Sequence, residues 1–280
     1  MIHKTLTESE IKSYFPARKA DTHKGDYGKI LMLCGSRGFT GAAALAAMGA
    51  LRVGAGLVYC GVPESIYAIE AVKLTEPVVF PLPDREGKLD ADAAEQIAGY
   101  LPKMDVVCMG CGLGISTGTE QVTEFVLKSF RGPVLLDADG INLMAAHKDI
   151  LRDRTAPTIL TPHAGEFLRF SGREANPETV EELARELSCI LLSKGHRTII
   201  TDGQVCYHNP TGNPGMASGG SGDVLAGVIA GLLGQGLPPL EAAAVGAWLH
   251  GKAGDVCAAS IGEYGMVSGD LLEVLPRLLF

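Results

Sequence analysis

Short, wholly apolar runs separated by glycine-rich loops set the pattern of this chain. KILMLCG (Lys29 to Gly35), LVYCGV, PVVFPL, DVVCMG, PVLLDADG, TILTPHAGEF and ILLSKG follow one another, most of them divided by helical patterns. A run that is apolar throughout, instead of alternating, fits a strand covered by helices on both faces. The first run passes through the loop SRGFTG into the helix AAALAAMGALRVG, the strand–loop–helix unit of an α/β protein. Further helices are expected from Glu64 and near Asp90. The last third differs: RTIITDG and QVCYHN are close enough for a hairpin, and three helices follow, from Gly222, from Pro238 to about Ser260, and from Val267 to the end. Residues before about Lys24 read as an irregular polar arm, 1–23. With no linker, fixed repeat or low-complexity segment, residues 1–280 are expected to form one doubly wound domain. In such sheets ligands bind beyond the carboxyl ends of the strands, where each glycine loop falls.

The densest of these loops is TGNPGMASGGSGDVLAGV, Thr211 to Val228. It holds five glycines in the twelve residues before Asp223 and then turns at once into an apolar helical pattern. Glycine allows close backbone approach, and the helix that follows directs unpaired N–H groups and its positive dipole end into the loop. Gly219, Gly220, Ser221 and Gly222 thus read as an anion cradle with Asp223 at its mouth. Two roles compete for that carboxylate. It caps its helix, or it serves as a base accepting the proton of a hydroxyl that attacks a cradled phosphate.

Composition narrows the field. Glycine, 36 of 280 residues, is nearly twice its usual share of about 7% and clusters in loops. A net charge of −8 with no basic stripe argues against a nucleic-acid partner. Seven scattered cysteines do not make a secreted disulfide framework. Cys108 and Cys111 have CxxC spacing, for which a buried apolar role competes with a redox one. The start, MIHKTLTESEIK, lacks a signal-peptide core, and VLAGVIAGLLG is too short to span a membrane, so a cytoplasmic protein is expected.

Other loops offer candidates. GSRGFTGAAAL (Gly35 to Leu45) and CGLG (Cys111 to Gly114) are ligand loops or simple turns. TPHAGEF places His163 and Glu166 three residues apart at a helix start; Thr161 caps that helix, or the imidazole and carboxylate face a cleft, where Glu166 could hold Mg²⁺ through water. SKGHRT gathers Lys194, His196 and Arg197 at a strand end, as phosphate contacts or as a solvated turn. Asp139 is read as a cap, and Asp137 is left open. No Walker A sequence is present, which removes the P-loop reading; no GxGxxG opens the first βα unit, which counts against a dehydrogenase, and no GxSxG nucleophile elbow appears.

HKGDYGKILMLCGSRGFTGAAALAA, TPHAGEF, SKGHRTIITDG and GNPGMASGGSGDVLAGVIAGLL together resemble the ADP/ATP-dependent NAD(P)H-hydrate dehydratase family of the ribokinase-like superfamily. The resemblance runs from about His23 to the C-terminus. It implies an α/β/α sandwich with a mostly parallel sheet and no separate lid. It also implies repair of hydrated NADH or NADPH with ADP or ATP as co-substrate, Mg²⁺, and a homotetramer. Residue by residue, Asp223 matches the family's substrate-facing acid. Ala43, Gly114 and His163 match positions touching the hydrated dinucleotide, while Lys194, Gly195, His196, Arg197, Thr198 and Gly222 match those at the adenine nucleotide. Ala164, Gly140 and the segment VSGDLL depart from the family's usual PHPGE, DADALN and ASDLL. Because the chain starts about twenty residues before the motif region, the epimerase that related proteins carry as a fused domain is expected on a separate chain. Two alternatives share the glycine loop: a small-molecule kinase of the same superfamily, and a module that binds adenine nucleotide without turnover.

Overall fold

In a computed structural model that describes residues 2–279, the apolar runs become the strands of one sheet. In chain order the elements begin β1 (Ile2–Lys4), α1 (Glu8–Ser13), β2 (Lys29–Leu33), α2 (Thr40–Arg52), β3 (Leu57–Pro63), α3 (Glu64–Lys73) and β4 (Val78–Leu82). A small hairpin, β5 (Asp84–Arg85) and β6 (Lys88–Leu89), precedes α4 (Ala93–Tyr100), β7 (Val106–Met109), α5 (Thr117–Ser129) and β8 (Val134–Leu136). Then come α6 (Asp139–Leu143), α7 (Lys148–Asp153), β9 (Thr158–Leu160), α8 (Ala164–Ser171), α9 (Pro177–Leu187) and β10 (Ile190–Ser193). The chain closes with β11 (Ile199–Thr201), β12 (Val205–His208), α10 (Ser221–Gly234), α11 (Pro239–Ile261) and α12 (Ser268–Val274).

Ten strands lie in the order β1-β12-β11-β10-β9-β8-β7-β2-β3-β4. Only β11 runs against its neighbours, pairing antiparallel with β10 and with the expected hairpin partner β12. Successive side chains of a strand point to opposite faces. Ile30 and Met32 of β2, with Val106 and Cys108 of β7, enter one core; Leu31, Leu33, Val107 and Met109 enter the other. Helices α2, α10 and α11 cover the first face, and α4, α5 and α9 the second. This is the α/β/α sandwich anticipated above.

Two segments differ from the sequence-based expectation. The segment 2–23 is only partly irregular: β1 pairs in parallel with β12, and α1 starts with a capping box in which Thr7 and Glu10 satisfy each other's backbone N–H groups, while residues 15–23 hold no regular element. Polarity concealed a strand because this strand lies at the sheet edge with its three residues exposed. Some helical glycines serve packing and not ligand approach. A Cβ at Gly227 would strike the Ala46 carbonyl of α2, and one at Gly49 the Val224 carbonyl of α10. Small residues on both helices therefore let α2 and α10 cross in near backbone contact, which fixes where α10 begins.

Strand order reverses between β2 and β7: β3 and β4 extend to one side, and β8, β9 and β10 to the other. A crevice opens beyond the strand ends at such a reversal. Asp137, Pro162 and Lys194 follow β8, β9 and β10 at that end of the sheet, and α10 starts above them.

Candidate active site

A cavity of about 880 Å³ lies there. Its wall includes Asp137, His163, Lys194, Gly220, Asp223 and His250. Gly195, His196, Thr198, Ser221 and Gly222 complete the sequence-derived residues in that wall. Arg197 and Gly219 are both exposed and outside this wall, the Gly219 carbonyl accepting from Ser268 Oγ at 2.9 Å. That bond anchors the glycine loop to α12, so the VSGDLL departure retains a firm terminal contact. Ala43 and Gly114 are also outside this wall. Ala43 is 1% exposed beside Gly35, and Gly114 donates its N–H to Asp139 Oδ2 at 2.8 Å.

The α10 start is built for a ligand. Gly220 at φ +95° is its N-cap, a conformation that L side chains rarely adopt, and no side chain caps the helix. The N–H groups of Gly222 and Asp223 have no acceptor among the described residues, as expected at an uncapped helix start. Asp223 sits in the first turn without capping, so the cap role left open above is closed by geometry. Burial, and then the nearby Asp137 carboxylate, push its pKa up to about 6, against the lowering effects of the Cys111 thiol and Lys194. A carboxylic acid poised there can exchange a proton at neutral pH.

Beneath it lies an ion-pair network that residue types alone did not reveal. Asp137, 1% exposed, accepts from Thr161 Oγ1 at 2.6 Å and from Lys194 Nζ at 2.7 Å, and Lys194 is 3.7 Å from Glu166 Oε2. Burial would lower the Lys194 pKa, but Asp137 and Glu166 more than offset it and raise it. Lys194 thus stays charged. Thr161 serves Asp137 and is not the cap of α8. Asp139 is likewise no cap, being bound to Gly114. Between the two acids Ala138 stands at φ +46°, a strained turn that separates their directions.

The α8 start is self-satisfied by contrast. His163 is the N-cap; its Nδ1 accepts from Gly165 and Glu166 N–H groups, and Glu166 Oε2 accepts from the His163 N–H at 2.8 Å. The exposed imidazole still borders the cavity.

One residue escaped the sequence reading, and two others were singled out there without a settled role. His250 lies inside the apolar α11 with no local signal; burial drives its pKa down to about 4, and its Nε2 is 3.3 Å from Ser221 Oγ. Asp137 carried a faint signal as the charge ending an apolar strand. Cys111, read as part of a turn, has its thiol within 4.8 Å of ligand-type atoms of Asp137 and Asp223. Its CxxC partner Cys108 and the adjacent Cys34 are as deeply buried. The Cys108 thiol is held well above its usual range by its hydrogen bond with Cys111 and by burial, so it stays protonated. That favours the buried apolar role over the redox one.

Comparison with known proteins agrees with this architecture. Residues 30–277 match the family model for NAD(P)H-hydrate dehydratase. A bifunctional NAD(P)H-hydrate repair enzyme of Moorella thermoacetica is 45% identical over 98% of this chain and 53% of its own length. This chain thus spans about half the length of such bifunctional relatives. An ADP-dependent (S)-NAD(P)H-hydrate dehydratase of Nitrosopumilus maritimus is 36% identical over 100% of this chain and 98% of the relative. The crystal structure of the Bacillus subtilis ADP/ATP-dependent NAD(P)H-hydrate dehydratase, co-crystallised with ATP and Mg²⁺, superposes with a TM-score of 0.84 at 30% identity, covering 98% of this chain and 96% of that one. With the family model matched over most of its length and full-length relatives above 30% identity, the chain belongs to the NAD(P)H-hydrate dehydratase family.

Proposed function

We propose that this chain dehydrates (6S)-hydrated NADH or NADPH back to the reduced dinucleotide, driven by phosphoryl transfer from ADP or ATP. The observation that carries this reading is the Asp223 carboxyl, raised to about 6 at the free N-terminus of α10. A helix start with open N–H groups favours phosphate, and a carboxylate beside it favours proton abstraction. Asp223 takes the proton of the C6 hydroxyl on the hydrated ring, and that oxygen attacks the terminal phosphorus. The Gly219–Gly222 amides meet the developing charge, while Lys194, Gly195, His196 and Thr198 hold the nucleotide, with Arg197 at the rim. Phosphate then leaves C6 with the C–O electron pair, and loss of a proton from the adjacent C5 to solvent restores the ring double bond. AMP or ADP and inorganic phosphate are the other products.

His163, Ala43 and Gly114 are proposed for the hydrated dinucleotide. For Ala43 and Gly114 this requires the loops after β2 and β7 to open, because one is buried and the other is held by Asp139. Mg²⁺ is the metal proposed. It is a hard cation that keeps most of its waters and needs one or two carboxylates besides phosphate. The Cys111–Asp137–Asp223 group suits it poorly because of the thiol and the Lys194 pair. Glu166 is proposed to act only through water: its Oε1 lies outside the capping bond but 3.3 Å from His163 Nε2, and its Oε2 is 3.7 Å from Lys194. Bound Mg²⁺ would neutralise charge on the transferring phosphate.

A homotetramer in the cytoplasm, and an epimerase supplying the (6S) form, complete the proposal. No helix among the described residues is long and apolar enough to cross a membrane. The test is recovery of reduced-nicotinamide absorbance from hydrated NADH with Mg²⁺ and either ADP or ATP. Nucleotide consumption with a simple alcohol and no NADH would instead mark a kinase. Nucleotide binding with no turnover would mark a binding module.

A further inference from the structure

Away from the cavity, the outer edge of the sheet gathers a second set of chemically active side chains. In the β1–β12 register His3 faces Cys206 directly, and His208, two residues further along β12, shares that face. His3 Nδ1 is 3.0 Å from His208 Nε2, and Cys206 Sγ is 3.8 Å from that same nitrogen. Tetrahedral zinc, with Zn–N of about 2.0–2.1 Å and Zn–S of about 2.3 Å, separates its ligand atoms by roughly 3.3–3.7 Å. The three atoms bracket that spacing. Helix α9 brings a fourth group against the thiol. Burial first, then the Glu181 charge and a hydrogen bond between the thiol and the Glu181 side chain, raise the Cys206 pKa to about 11, while Glu181 Oε1 is buried with no hydrogen-bond partner of its own among the described residues. A buried carboxylate oxygen without a partner calls for a cation or an ordered water.

We infer that His3, Cys206 and His208 form a site for one divalent transition metal of the zinc class, with solvent as the fourth ligand and the Glu181 carboxylate as an outer partner of the Cys206 sulfur. Imidazole and thiolate are the ligands this borderline metal selects, and hard cations reject them. On binding, the Cys206 thiol releases its proton to solvent and both imidazoles bind as neutral rings. Metal–sulfur and metal–nitrogen bonds form, and no electron is transferred. With the thiolate bound and the carboxylate beside it, the 2+ charge is balanced. The consequence is structural: the metal clips a three-residue edge strand onto β12, immediately before Asn209 of the cavity wall. This site stands apart from the proposed activity and uses none of its residues.

The decisive experiment uses the full chain, stripped with a chelator and titrated with Co²⁺. One equivalent should give tetrahedral d–d bands and a thiolate-to-cobalt charge-transfer band, all displaced by Zn²⁺. Cys206→Ser should abolish the charge-transfer band, and Glu181→Gln should weaken binding roughly 10–100-fold. His3 is exposed and touches no core, so His3→Ala keeps the fold; Zn²⁺ should raise the Tm of the parent chain and not of this variant. A parent chain with no charge-transfer band and no zinc-dependent Tm rise would leave only an imidazole–imidazole hydrogen bond and overturn the inference. A band that persists in both His3→Ala and Cys206→Ser, but vanishes in Cys111→Ser, would put the metal at the Cys111–Asp137–Asp223 group and overturn it as well.

Discussion

Two helix starts border one cavity, and each carries a carboxylate in its first turn, yet their chemistry is opposite. In α8 the N-cap is His163, in extended backbone with a ring nitrogen that accepts two N–H groups, and Glu166 reaches back to complete the box. In α10 the N-cap is Gly220, left-handed and without a side chain, so the Gly222 and Asp223 amides stay open among the described residues and Asp223 has no capping bond. One turn is saturated by its own residues and the other is left for a ligand. A carboxylate at a helix start is therefore not informative by itself; the residue three positions before it decides whether it is spent.

The sharpest break of this comparison is Asp223→Asn. Turnover should fall roughly 10²–10⁴-fold, the scale of general-base catalysis, while adenine-nucleotide affinity measured by calorimetry stays close to that of the parent. The base must be ionised, and its pKa is raised to about 6. Activity should therefore climb as pH rises through about 6 and level off above, and the variant should lose that limb. A pH profile unchanged in the variant would remove Asp223 from the chemistry.

Next in size is Lys194→Met, which strands Asp137 as a buried charge. Breaking one side of a buried pair costs about 3–5 kcal/mol, read by urea denaturation. Adding Asp137→Asn should recover part of the loss, because it removes the orphaned charge. No recovery would mean that the pair does not bear on stability.

A smaller effect has the opposite sign. Since the folded-state pKa of Asp223 lies above its unfolded value, the folded chain holds the proton more tightly. Stability is thus lost as pH rises from about 4 to about 6, and the cost then persists. Asp223→Asn should consequently stabilise the chain at pH 7.5 by up to about 3 kcal/mol, with the gain vanishing near pH 4. A pH-independent gain would refute this origin.

Glu166→Gln should do least. Gln can keep the α8 capping box, so stability should change little, while turnover should fall modestly and recover with raised Mg²⁺. A loss of turnover approaching that of Asp223→Asn, rescued by raised Mg²⁺, would erase the distinction between the two helix starts.

The same contrast marks how far the residues could be read. Fully apolar runs identified the parallel strands because a strand covered on both faces has no polar side to show. The close pair RTIITDG and QVCYHN gave the hairpin, and the glycine cluster before Asp223 gave the loop. The strand at Ile2–Lys4 was missed, since an exposed edge strand carries no hydrophobic pattern. Asp139 and Thr161 were read as caps because local sequence offers each a helix just ahead. Their actual partners, Gly114 and Asp137, are 25 and 24 residues away.

Sequence by itself determined the α/β order, the family and the acid at the mouth of the glycine loop, because hydrophobic period and backbone permissiveness are local properties. The tertiary structure alone decided which acids are spent. Asp137 became the buried partner of Lys194, His250 came under the loop from inside an apolar helix, and Asp223 was left uncapped at about 6. Proton affinity depends on burial and on charges brought from distant strands, and no window of consecutive residues contains either.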